Sequence, residues 1–193
     1  MDNATLQKLF VEQIRDVYDA EKQLVKALPR LAKAAQSEEL VDALNSHLEE
    51  TKNQVSRLEK VFQLVETNAK GKPCKGMKGL LEEGNEAIQE EDKGPLRDLA
   101  IIAGCQRVEH YEISAYGTMR TLAEHLELED AVELLQQTED EEKQADEKLT
   151  EAAVAIYESS GEEEDEEVEE EEPAVAAPAR RSSAKPASRR AGQ

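Results

Sequence analysis

Four glutamates, Glu21, Glu50, Glu109 and Glu142, each fall near the middle of a long segment whose apolar residues recur every three and four positions. An ionised carboxylate taken from water into a helix interface costs several kcal/mol unless a counter-charge meets it. A shared pair of divalent metal ions is the recurrent solution when helices bundle around such groups. The competing reading places each glutamate on a solvated helix edge, where most glutamates lie. Neighbouring side chains extend the set. Glu112 lies one turn beyond Glu109 and Asp146 one turn beyond Glu142, while His47 and Gln54 flank Glu50. For Glu112, Asp146 and Gln54 the solvated edge remains the leading alternative. Tyr18 and Tyr116, one and two turns from Glu21 and Glu109, carry hydroxyls able to orient carboxylates around a metal.

The elements that must position these residues are helical. The chain of 193 residues has no Trp and only two Phe, and its periodic segments are built from Leu, Val, Ala, Glu, Lys and Gln. The spacing predicts a first helix from Asp2 or Asn3 to about Gln36, with Pro29 bending it after Glu21. A second begins at the capping residue Ser37 and continues to about Glu66, with Glu50 at the edge of its stripe. The Gly, Pro and Lys residues of Thr67 to Lys75 mark a loop, followed by a shorter helix from Met77 to about Glu91. Pro95 opens a helix reaching about His125, whose expected inward line is Leu99, Ile102, Gln106, Glu109, Ile113 and Tyr116. The last runs from Glu129 to about Glu158.

Two of the connections are only a few residues long and imply antiparallel hairpins. The link between the second and third long helices holds about thirty residues, enough to travel the bundle's length and make those two helices parallel. The expected fold is therefore all-α, a ferritin-like four-helix bundle over residues 1–160 with a helix in its long crossover. All four glutamates then sit near mid-height, where oxygen ligands could converge on one centre.

Residues 161–193 form an acidic block followed by a basic, Pro- and Ala-rich block, a composition expected to be disordered. The net charge is −20, and ten acidic against five basic residues in the tail leave the body strongly acidic. That balance argues against nucleic-acid binding and favours attraction of cations. No stretch approaches a membrane span, and the first residues lack the basic and apolar regions of a signal peptide, so a cytoplasmic protein is expected. Cys74 and Cys105 are isolated, which predicts a loop thiol and a small buried side chain and no disulfide.

The segments DVYDAEKQLVKALPRLAKAA (16–35), HLEETKNQVSRLEKVF (47–62), GMKGLLEEGNE (76–86), RVEHYEISAYGT (107–118) and EDEEKQADEKLT (139–150) resemble the YciE/YciF family of bacterial ferritin-like proteins. The resemblance covers about residues 4–158. It implies a fold related to rubrerythrins, a homodimer, an association with stress responses, and a dinuclear site at Glu21, Glu50, Glu109, Glu112, Glu142 and Asp146. The wider di-iron pattern pairs a glutamate with a histidine three residues later on two helices. Here Asn53 and Ala145 stand at those positions, which implies an oxygen-rich site suited to manganese as well as iron. Two functions follow as expectations: a di-metal protein that oxidises iron or consumes peroxide, or a non-catalytic dimeric stress protein with a metal-free bundle.

Overall fold

The computed structural model describes residues 2–90 and 92–170, with Glu90 and residues 161–170 as backbone alone. Five helices, α1 (Asn3–Ala34), α2 (Glu38–Leu64), α3 (Lys75–Glu90), α4 (Pro95–His125) and α5 (Glu129–Glu170), account for nearly all of it, and no strand occurs among the described residues. The helix starts follow local chemistry. Asp2 accepts the Thr5 amide at 2.8 Å, Ser37 caps α2 through the Leu40 amide, and Gly94, at φ +147°, turns the chain so that Pro95 can begin α4. α1 runs unbroken through Pro29.

Two helix ends use a left-handed residue that is not glycine. At the end of α2 the Thr67 amide reaches the Phe62 carbonyl around Glu66 at φ 52°, and after α4 the Leu128 amide reaches Ala123 around Glu127 at φ 56°. α5 outruns its expected end at Glu158 and continues to Glu170. Glutamate is a good intrinsic helix former, and Gly161 alone costs only about 1 kcal/mol within a helix. The expected acidic-then-basic tail meets the structure over residues 161–170 only; residues 171–193 lie outside the described residues.

Contacts between helices establish the topology. Gln106 on α4 bonds Asp146 and Thr150 on α5, and Lys148 on α5 meets Glu50 on α2. Asp98, in the first turn of α4, accepts the backbone amides of Gln36 and Ser37 at 2.7–3.1 Å, so α4 starts beside the turn from α1 into α2. α2 and α4 are therefore parallel, as the long crossover predicts. The crossover begins where the Lys72 amide bonds the Arg15 carbonyl and the Cys74 amide bonds Asp19 at 2.8 Å. α3 then packs on α1 and α4 through Met77, Leu80, Leu81 and Ile88. The loop thiol of Cys74 is buried, 3.0 Å from the Tyr111 hydroxyl, which donates to Asp16. Both cysteines are free.

Two apolar cores fill the bundle. One gathers Leu24, Leu28, Leu44, Ile101, Leu149 and their neighbours at the end where α1 meets α2, and the other gathers Phe10, Ile14, Phe62, Met119 and Leu135 at the opposite end. The mid-height layer between them is polar.

Asp98 is almost wholly buried, and it holds one hairpin to the other by accepting two amides that otherwise lack an acceptor. Replacing it with Ala strands those donors. We expect Asp98→Ala to cost about 2–3 kcal/mol in chemical denaturation, with helix content retained. A loss below about 0.5 kcal/mol would show that water substitutes for the carboxylate.

Candidate metal centre

Each long helix sends polar side chains into the layer between the two cores. α1 contributes Glu21, α2 contributes His47, Thr51, Gln54 and Arg57, α4 contributes Glu109, Glu112 and Tyr116, and α5 contributes Thr138 and Glu142, all buried. Ligand-capable atoms of His47, Glu109, Glu112 and Glu142 lie within 4.8 Å of one another. His47 Nε2 stands 3.5 Å from Glu109 and 3.8 Å from Glu142. Glu21 adjoins this group, accepting a short hydrogen bond from the Tyr116 hydroxyl.

The six positions singled out in the sequence divide. Glu21, Glu109, Glu112 and Glu142 enter the polar layer. Glu50 stays at its outer rim with 30% of its side chain exposed, 3.7 Å from His47 and 3.5 Å from Lys148. Asp146 lies outside the cluster, held by Gln106 at 3.1 Å and facing His110 at 3.5 Å. The residue that sequence reasoning undervalued is His47. Its signal was present, because His47 shares a line with Leu40, Leu44, Thr51 and Leu58, the buried face of α2, whereas Glu50 falls beside that line. The candidate cluster thus includes one imidazole, three residues before Glu50 and not after it, beside the carboxylates expected from the sequence. Tyr116 orients Glu21 and not Glu109, and Tyr18 turns away to Glu59 at 2.8 Å. The inward face of α4 is Asp98, Ile101, Ile102, Cys105, Val108, Glu109, Glu112, Tyr116 and Met119, rotated from the expected line that held Leu99, Gln106 and Ile113.

Charge in this layer is poorly balanced by protein. Arg57 is committed to Thr138 and, through two nitrogens at 2.8 and 2.9 Å, to Glu141. Gln54 donates to Glu142 at 2.5 Å and to Glu141 at 3.2 Å. Burial raises the carboxyls of Glu21, Glu109 and Glu112 well above their ordinary range, and the negative charge of Glu142 or Glu21 adds to it. Glu142 is raised by burial against the opposing pull of His47. Glu50 moves the other way, held low chiefly by His47. Eight buried polar atoms here have no hydrogen-bond partner among the described residues: Glu21 Oε2, both His47 ring nitrogens, Gln54 Oε1, Glu109 Oε2, both Glu112 oxygens and Glu142 Oε2. Native proteins leave few such atoms, and a bound ion or ordered water commonly accounts for them. Carboxylates with one imidazole make a donor set that fits first-row divalent metals.

A family described as a domain of unknown function, DUF892, matches residues 5–161. The chain belongs to this family. The DUF892 region is similar to protein YciF of Escherichia coli K12, with 46% identity over 156 residues, 80% of this chain and 93% of that protein. The crystal structure of the E. coli stress protein YciF superposes with a TM-score of 0.77 at 44% identity, covering 79% of this chain and 97% of that one. YcfI of Rhodopseudomonas palustris, for which a structural role is suggested, matches with a TM-score of 0.72 at 41% identity, covering 75% and 92% of the two chains. A protein from Xanthomonas campestris shares the fold at 19% identity, with a TM-score of 0.63 over 83% of this chain and 99% of that one. The DUF892 bundle is thus a homologue of a stress protein, and its own buried His/Glu cluster could hold a metal ion. No helix among the described residues is long and apolar enough to cross a membrane.

The raised carboxyls set a sign for pH dependence without metal. Between the ordinary glutamate value and the raised folded values the folded state binds more protons than the unfolded one, so these groups lower stability as pH increases through that window. In chelator-treated protein, Glu112→Gln should flatten the loss of stability between pH 5 and 8 measured by urea denaturation. Parallel curves for the parent and the variant would mean that Glu112 ionises without penalty.

Proposed function

We propose that the protein binds a carboxylate-bridged dinuclear centre of iron or manganese in the bundle core and uses it to oxidise metal or consume peroxide under stress. The observation that carries this reading is the set of eight unpartnered polar atoms on six side chains, all in one layer between two apolar cores. Four buried carboxylates carry four negative charges when ionised, which two divalent ions would neutralise. Glu109, Glu112, Glu142 and His47 would hold the metals, with Glu21 completing the set, Glu50 standing at the rim, and Asp146 outside it, held by Gln106.

When bound, such ions supply reversible one-electron steps between two oxidation states. The chain's own residues do the rest. The Tyr116 hydroxyl fixes Glu21, and the Gln54 amide fixes Glu142, so two carboxylates are held before any ion arrives. The Arg57 pair with Glu141 closes the layer on one side, and the apolar cores keep water from both ends.

Dimerisation belongs to the same reading. The antiparallel register of α4 and α5 brings exposed Leu96 to the end of the bundle that carries exposed Val154 and Tyr157, and these apolar side chains would be covered by a second copy. A cytoplasmic location and the absence of nucleic-acid binding remain part of the proposal, the latter on the charge of −20. A second reading, a metal-free structural protein, draws on the raised carboxyls, which protonation would neutralise, and on the role suggested for YcfI.

Elemental analysis of protein purified without chelator, then loaded with Fe(II) or Mn(II) and exposed to peroxide, separates the two. The dinuclear reading predicts two metals per chain, a higher melting temperature on loading and peroxide consumption that Glu109→Gln abolishes. Less than one metal per two chains under every condition supports the metal-free reading.

A further inference from the structure

Resting on the dinuclear reading, we propose that divalent cations reach the centre through the crevice between α2 and α5, with Glu50 as the receiving carboxylate and Lys148 as its gate. Four distances trace the path from solvent inward. Lys148 Nζ, nearly half exposed, lies 3.5 Å from Glu50 Oε1; Glu50 Oε2 lies 3.7 Å from His47 Nδ1; and His47 Nε2 lies 3.5 Å from Glu109 and 3.8 Å from Glu142. From Glu50 inward each step passes between groups able to ligate a cation, and the string runs without a gap from surface to core. The crevice itself holds about 10 Å³ and is bounded by Ala43, Leu44, Ala145 and Leu149 beside the polar residues. That is the room of about one water molecule, enough for an ion that has shed most of its hydration shell onto protein ligands.

His47 supplies the second, independent observation. Its ring is buried, neither nitrogen has a hydrogen-bond partner, and the two nitrogens face opposite ends of the path. A neutral imidazole ligates through one nitrogen at a time, so His47 would take an ion from Glu50 on one side and present it to Glu109 and Glu142 on the other by turning its ring over. At the mouth, Lys148 both occupies Glu50 and repels incoming cations, so a cation must displace the ammonium to bind. The same geometry explains why Glu50 sits on the rim and not within the cluster: it serves arrival at the centre more than retention there.

Metal-free full-length protein mixed with Co(II) in a stopped-flow instrument, with a chromogenic chelator reporting the free ion, tests the route. An access residue changes uptake and release by the same factor and leaves the amount bound unchanged, whereas a ligand changes the amount or the affinity. Removing a like charge from the mouth should speed Co(II) uptake by Lys148→Met roughly three-fold or more, and Glu50→Gln should slow uptake and release together roughly ten-fold, with unaltered stoichiometry. Lys78→Met on α3, the same charge change on the far side of the bundle, should leave the rate at the parent value. Both replacements sit at the partly exposed rim and should leave the fold intact, which circular dichroism checks. Parent-like rates in both variants, or a lower stoichiometry in Glu50→Gln, overturn the route while the dinuclear centre stands. Failure of the parent protein to bind Co(II) at all overturns both.

Discussion

Buried negative charge without adequate protein counter-charge is the constraint on which the rest of this structure turns. Glu21, Glu109, Glu112 and Glu142 are sealed at mid-height between two apolar cores, where each ionised carboxylate costs several kcal/mol. Arg57, whose charge reaches Glu21, is already paired with Glu141, and His47 offers one imidazole. The layer can be neutral only by holding protons or metal. The proposed centre takes the second course: divalent ions would partner the orphaned oxygens and nitrogens that four helices bring together.

The fold serves this convergence. Bringing four side chains to the same depth requires the two hairpins to be fixed in register, and two devices away from the centre do so. Asp98 fastens the start of α4 to the turn between α1 and α2. The crossover is pinned at Arg15 and Asp19, and α3 climbs from there against α1 and α4. The cost of burying polar groups at the centre is offset by the apolar cores at both ends. The left-handed Glu66 and Glu127 add a smaller strain at helix ends that a glycine would relieve.

Much of this was legible in the sequence, and the misses share a cause. Helix limits followed from Ser37, Pro95 and the loop residues around Gly71 and Pro73, and the thirty-residue link decided the topology. Phase was harder. On α4 the polar residues Asp98, Glu109 and Glu112 lie on the inward face, so hydropathy hardly distinguishes its two sides, and the expected line was rotated by part of a turn. On α2 the same blurring hid His47: a histidine amid leucines reads as core, while the neighbouring glutamate attracts the eye as a ligand. Tyr116 was recognised as a carboxylate partner, but its bond crosses to Glu21 on another helix, a relation that no spacing within one helix encodes. Asp98 carried no signal, because its acceptor role exists only once the hairpins meet.

The most direct measurement is an anomalous-scattering map from crystals of the protein loaded with Mn(II) or Fe(II) and never exposed to chelator. Two peaks a few ångströms apart, within bonding distance of Glu109, Glu112, Glu142 and His47, are the predicted result. A fully ordered polar layer with no anomalous density, its carboxyl groups bridged by water or by one another, would contradict the account.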